Sequence, residues 1–272
     1  MSAPSVLAVL NRPQTAAAVL VAAGLLAARL HAGVAALHVR PQTDPDFMPT
    51  EDIMTAPRAA AFTASQKAIA AALRAAYDAW QPGAAVAASF VEKLGDPATV
   101  IAAEGVAAHL VVIGRAGAQD RDETAHQAVM ATLLEARAPM VLMPPTPPVT
   151  LGRHVALAWK PSAPADRALL AALPLLLAAD RVTVLRAEED DELGEPPFLA
   201  QAMAGRVRGF TVLPVDPGHR PLAEALTAEA RAVGADLLVM GAYAHARWRE
   251  TLFGGVTRDM LEDASMPVLM HH

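Results

Sequence analysis

Two stretches of the chain repeat one another, and this repeat constrains the fold more than any other feature. The segment Ala107–Gly117 (AAHLVVIGRAG) aligns with Gly234–Ala244 (GADLLVMGAYA), and Leu133–Met143 aligns with Met260–Met270 after a one-residue shift. In each copy a short apolar run ends at a glycine, and a loop, a helical pattern and a second apolar run follow. The repeat predicts two domains of similar topology.

Short apolar runs alternate with helical patterns along both halves, which predicts parallel βαβ units with right-handed crossovers. The predicted strands are 6–10, 34–39, 86–91, 110–113 and 140–143, then 155–159, 181–187, 210–215, 236–240 and 268–270. The predicted helices are 15–31, with Thr15 as a candidate cap, 58–80, 97–108 and 129–137, then 163–178, 198–206, 221–233 and one that begins near Val256; a polar loop is predicted over 114–126.

A proline cluster at Pro144–Pro148 reads as a stiff connector, so the predicted domains are 1–147 and 148–272. The net charge is −6 and neither half is basic, which gives no reason to expect a nucleic-acid partner. There is no cysteine, so disulfides and thiolate chemistry are excluded. The most apolar stretch, 16–30, contains Gly24 and Arg29 and is interpreted as a buried helix. We expect a cytoplasmic protein without a membrane partner.

The segment 236–270 combines a strand, a glycine-bearing loop, a helix and a second strand. In open α/β sheets, ligands bind outside the carboxyl ends of the strands, and a helix amino end offers backbone N–H groups to anions. This segment is therefore the first place to expect a ligand site.

Three stretches resemble the universal stress protein family in its tandem two-domain form. They are GAYAHARWRETLFGGVTRDMLEDASMPVLM (241–270), ALAWKPSAPADRAL (156–169) and GDPATVIAAEGVAAHLVVIG (95–114). The resemblance implies an α/β fold of two tandem five-stranded parallel-sheet domains, of the adenine nucleotide alpha hydrolase-like type. It also implies that strands 140–143 and 268–270 pair to join the domains as a pseudo-dimer.

The resemblance implies a nucleotide site as well, because some family members bind ATP through Gly-x2-Gly-x9-Gly-[Ser/Thr] and an Asp after the first strand. The second half departs from this pattern at three positions: Ala244 replaces the second glycine, Gly255 replaces Ser or Thr, and Lys160 replaces the Asp. In the first half Gly114 and Gly117 fit, but the later glycines are replaced around His126 and Gln127, and Asn11 stands at the Asp position. The candidate cofactor-binding residues are Lys160, Gly241, Ala244, Gly254, Gly255, Val256 and Thr257.

The leading hypothesis is a non-enzymatic stress-response protein that binds ATP or another adenine nucleotide in its second domain. Two alternatives stay open: an interaction module without nucleotide, which acts through an unknown protein partner, and a weak ATP hydrolase. Association of two chains as a homodimer is also open. No metal site is predicted; a group formed by Asp120, Asp122, Glu123 and His126 reads as an exposed loop.

Overall fold

The structure, a computed structural model, describes residues 5–42, 55–115, 123–160, 162–187, 210–242 and 255–272. In the first half the strands are β1 Ser5–Val9, β2 Gly33–Arg40, β3 Ala88–Leu94, β4 Leu110–Gly114 and β5 Met140–Met143. The helices there are α1 Pro13–Leu30, α2 Ala56–Trp80, α3 Pro97–Ala107 and α4 Glu123–Met130, which continues as a π-helical turn over Ala131–Glu135.

The second half repeats this order. Its strands are β6 His154–Ala158, β7 Arg181–Ala187, β8 Phe210–Val215, β9 Leu237–Gly241 and β10 Val268–His271. Its described helices are α5 Ala163–Ala178, α6 Leu222–Ala232 and α7 Gly255–Asp263. The helix predicted over 198–206 lies outside the described residues.

All ten of these strands form one sheet, in the order β3-β2-β1-β4-β5-β10-β9-β6-β7-β8. Each half contributes five parallel strands, and the two halves meet where β5 pairs antiparallel with β10, with Leu142 opposite Val268 and Met140 opposite Met270. The predicted fold class and the predicted pairing of the last strands are confirmed. The antiparallel join has a consequence for function: the carboxyl ends of the two sets of strands lie at opposite edges of the sheet.

Helices cover both faces of the sheet, and two apolar cores result. One contains α1, α5 and residues such as Val112 and Val239; the other contains α6, α7 and residues such as Val111 and Leu238. Strand β4 is buried throughout, as expected for a parallel strand covered on both faces. Helices α1 and α5 also contact each other across the join, where the Arg29 guanidinium donates to the Ala178 carbonyl at 3.0 Å.

Helix α1 is long and apolar enough to cross a membrane by composition alone, with a mean hydropathy of 1.4 over Pro13–Leu30. In the fold, however, half of that stretch is buried, and residues such as Leu20 and Leu26 are fully enclosed in the first core. The interpretation of this segment as a core helix therefore agrees with the structure.

Several predicted boundaries were wrong. Thr15 does not cap α1: the helix begins at Pro13, whose ring needs no N–H acceptor, and the Thr15 hydroxyl donates to the Arg12 carbonyl from inside the first turn. Strand β3 begins at Ala88 and not at Val86, because its pairing with β2 starts at Val34. The helix placed at 129–137 begins at Glu123, inside the predicted polar loop.

Burial of histidines gives the fold a predictable response to acid. His38 is 2% exposed, and its Nδ1–H donates to the Leu10 carbonyl at 3.0 Å. Burial lowers the pKa of His38, although that hydrogen bond opposes the effect, and burial also lowers the pKa values of His154 and His271. These imidazoles therefore stay neutral in the folded chain at a pH where the unfolded chain protonates them.

We expect the free energy of unfolding to fall as the pH drops below about 6.5, because the unfolded state then binds more protons than the folded state. Above that pH both states are neutral and the contribution is constant. Urea denaturation between about pH 7.5 and about pH 5.5 measures the slope. The His38→Gln variant should show a shallower slope, while His219→Gln, in an exposed turn, should follow the wild type. A slope unchanged in His38→Gln would contradict this assignment.

Candidate functional site

The second half places its candidate site at the carboxyl edge of β6 and β9. These strands are neighbours, with Leu157 opposite Val239. Gly241 is the last residue of β9, and Lys160 follows two residues after the end of β6 at Ala158, so both lie at this edge. The strand order reverses here, because β7 lies on the outer side of β6 and β10 on the outer side of β9. Such a switch point is where ligands bind in open α/β sheets. Lys160 is exposed at this edge.

Helix α7 brings its amino end to the same edge. It connects β9 to the parallel neighbour β10, so the helix must run back across the sheet and begin near the carboxyl ends of the strands. Gly255 is its first residue and is exposed, Val256 packs against the second core, and Thr257 is buried at 6% exposure. N–H groups in the first turn of a helix have no acceptor within the helix, and such groups are the kind of donors that bind phosphate.

Gly241 has a packing role that the sequence did not reveal. A Cβ atom at this position would lie 2.6 Å from the Ala165 nitrogen and 2.7 Å from the Pro164 carbonyl carbon, both backbone atoms in the first turn of α5. Gly114 in the first half is similar, since its Cβ would lie 2.2 Å from Thr15 Oγ1. Close contact between strand end and helix is therefore sufficient to explain both glycines. Gly255 differs, because among the described residues no atom lies within 4 Å of a Cβ built there.

Two of the predicted site residues, Ala244 and Gly254, lie outside the described residues, as do two basic residues close to them in the sequence, Arg247 and Arg249. Arg258 is described: its Nε donates to Glu262 Oε1 at 2.8 Å, one turn along α7. This hydrogen bond and the Glu262 charge raise the pKa of Arg258. An exposed pair of this kind favours the interpretation of Arg258 as part of a solvated face.

The structure adds residues that sequence reasoning missed. His271 lies opposite Gly241 at the end of β10, and the Ala242 N–H donates to its carbonyl at 2.9 Å. Arg167 of α5 donates from Nε to the His272 carbonyl at 2.7 Å. Burial, with the Arg167 charge second, lowers the pKa of His271. Two predicted strands, 236–240 and 268–270, would have indicated that Gly241 and His271 are close, because each residue directly follows one of these strands.

Trp159 precedes Lys160 in the sequence but belongs to the apolar core. The acidic side chains considered for a metal ion also form no metal site among the described residues. Trp159 is 7% exposed and belongs to the first core. In the described ranges, no group of three or more His, Cys, Asp or Glu side chains is arranged to hold a metal ion. Of the group considered for a metal, Asp120 and Asp122 lie outside those ranges.

Comparison with known proteins agrees with this architecture. Residues 152–272 match the model of the universal stress protein family. A universal stress protein from Archaeoglobus fulgidus DSM 4304 is similar over the whole fold: identity is 16%, the alignment covers 98% of this chain and 95% of that protein, and the TM-score is 0.69. A functionally unknown protein from Pseudomonas aeruginosa PAO1 is similar at 15% identity, with 99% and 92% covered and a TM-score of 0.58. A comparison with curated protein sequences gives no match.

The family match falls on the half that retains more of the glycine pattern, and the structural matches extend across both halves. The first half has the strand order of the second, with β1, β2 and β4 in the places of β6, β7 and β9. Residues 152–272 therefore match the universal stress protein family, and the first half has the same fold.

Proposed function

We propose that the chain is a non-enzymatic, cytoplasmic stress-response protein that binds an adenine nucleotide in its second domain. Two features support the proposal: Lys160 and the end of β9 lie at the switch point of the second half, and the connection from β9 to β10 directs the amino end of α7 to the same edge of the sheet. The resemblance of the sequence to nucleotide-binding family members supports the choice of ligand.

The chemistry of this edge suits a phosphate group. Backbone N–H groups at the start of α7 carry the positive end of the helix dipole, and Lys160 adds a full positive charge. Gly255 leaves open space beside these donors in the described part of the chain. A phosphate chain can therefore approach this backbone without displacing a side chain of the described residues.

We propose binding and not catalysis because the candidate residues hold a ligand but supply no proton acceptor. Lys160, Gly241, Gly255, Val256 and Thr257 offer a cation, backbone N–H groups and a hydroxyl. None of them carries a carboxylate or an imidazole, which a hydrolase would use to activate water. Within one chain, the pairing of β5 with β10 already joins two similar domains. Association of two chains as a homodimer is therefore not required to form this arrangement.

The experiment is to denature the purified protein and analyse the released small molecules by ultraviolet absorbance and chromatography. We expect an adenine nucleotide in the released fraction. Incubation with ATP and Mg²⁺ should release no phosphate above the level of a Gly255→Glu control. If the wild type releases phosphate and this variant does not, the protein is a hydrolase. If no nucleotide is released on denaturation and none binds, the protein is an interaction module.

A further inference from the structure

Within the described residues, the first half carries four buried polar atoms that lack a hydrogen-bond partner. They are Asn11 Nδ2, Asn11 Oδ1, Arg115 Nε and His38 Nε2. Buried donors and acceptors in folded proteins are nearly always paired, so each exception calls for an explanation. Three of the four belong to Asn11 and Arg115, which follow β1 and β4 at the carboxyl edge of this half, and the fourth belongs to His38 on β2.

Pairing of the strands brings Asn11 and Arg115 side by side. Val9 lies opposite Ile113 in the β1–β4 ladder, and each of the two polar residues follows two positions later. Val9 and Ile113 both face the second core. Asn11 and Arg115 lie just beyond the strand ends, but backbone pairing continues there, because the Leu10 and Arg115 N–H groups donate to the Leu37 and Met143 carbonyls, and we extend the alternation of the strands to them. The order β2-β1-β4-β5 reverses between β1 and β4, so this pair occupies the switch point of the first half.

The guanidinium of Arg115 is held in place from the other half. One of its terminal nitrogens, Nη1, donates to the Glu262 carbonyl near the end of α7, where the helix dipole is negative. Its Nε is buried and has no partner among the described residues, so it remains an oriented, charge-assisted donor. The equivalent positions in the second half are Lys160 and Ala242, so this arrangement belongs to the first half.

We propose that the crevice between β1 and β4 binds a small carboxylate that carries a neighbouring hydroxyl or amino group. Arg115 Nε and Asn11 Nδ2 donate to the carboxylate oxygens, and Asn11 Oδ1 accepts from the neighbouring group. The three unpartnered atoms of Asn11 and Arg115 are then satisfied by one ligand. A nucleotide fits this half less well, because the later glycines of the phosphate-binding pattern are replaced around His126 and Gln127.

Calorimetric titration with three probes tests the chemistry of the site. Glycerate has the carboxylate and the hydroxyl, acetate has the carboxylate alone, and glycerol has hydroxyls alone. We expect glycerate to bind at least about tenfold more tightly than acetate, and glycerol not to bind. Equal affinities for glycerate and acetate, or no binding of glycerate at millimolar concentration, would overturn the proposal.

Variants test the two residues. Asn11→Leu should abolish glycerate binding and raise the melting temperature, because it removes two unpartnered buried atoms. Arg115→Met should weaken glycerate binding by at least about tenfold, whereas Arg220→Met, at an exposed turn, should leave it unchanged. Asn11→Asp should also lose glycerate, since its charge repels a carboxylate. A destabilised Asn11→Leu protein that retains glycerate binding would show that Asn11 is structural.

Discussion

Replacing Gly255 with glutamate is expected to abolish ATP binding while the protein stays folded. Among the described residues no atom lies within 4 Å of a Cβ at Gly255. A carboxylate in the first turn of a helix also stabilises the helix, because it interacts favourably with the helix dipole. The same carboxylate would repel a phosphate bound by the N–H groups at the start of α7. This repulsion would weaken the binding free energy by about 3 kcal/mol, which is roughly a 100-fold loss of affinity. Calorimetry and circular dichroism measure the two effects.

Neutral substitutions at Gly255 separate charge from size. Gly255→Gln has the size of glutamate without its charge, so it should weaken ATP binding less than Gly255→Glu does. Gly255→Ser restores the hydroxyl of the family pattern, and one added hydrogen bond of about 1 kcal/mol should tighten binding about fivefold. Wild-type affinity in Gly255→Glu would show that the site is misplaced.

The second large effect is expected at Gly241, where alanine should destabilise the fold by about 3 kcal/mol. The added methyl would lie 2.6 Å from the Ala165 nitrogen and 3.0 Å from the Ala165 Cα atom. Backbone atoms cannot rotate away as a side chain can, so α5 must shift from the sheet. The free energy of unfolding in urea measures the cost.

Gly255→Ala is the matched control, because it is the same substitution in open space at the start of a helix, where alanine is favoured over glycine. It should be neutral or slightly stabilising. Gly114→Ala should cost less than Gly241→Ala, since its Cβ would meet the Thr15 side chain, which can change rotamer. Equal stabilities of Gly241→Ala and Gly255→Ala would refute the close contact as the reason for Gly241.

Much of the fold could be predicted from local sequence. The uninterrupted apolar runs at 110–113, 140–143 and 237–240 marked buried strands, and the repeat marked the two halves. Boundaries such as the start of β3 were missed because they depend on which neighbouring strand is paired, and Val34 and Ala88 are far apart along the chain. Likewise, α1 begins at Pro13 without a side-chain cap, and the hydroxyl of Thr15 led to a wrong prediction of its start.

The sites were harder to predict, because their residues meet only through strand register. Gly241 and Gly255 were found by their spacing, but the contact that explains Gly241 comes from α5, far along the chain. Asn11 and Arg115 could not be recognised as neighbours from the sequence, because they are far apart along the chain. The pairing of Val9 with Ile113 between β1 and β4 brings them together. A glycine pattern thus indicated where a ligand would bind in one half, while unpartnered atoms indicated it in the other.

The most direct measurement is a calorimetric titration of the wild-type chain with ATP, ADP and AMP. We predict one nucleotide per chain, with an affinity that increases with the number of phosphates, because the start of α7 and Lys160 bind the phosphate end. Two equivalent nucleotides per chain, or no heat of binding with any of the three, would contradict it.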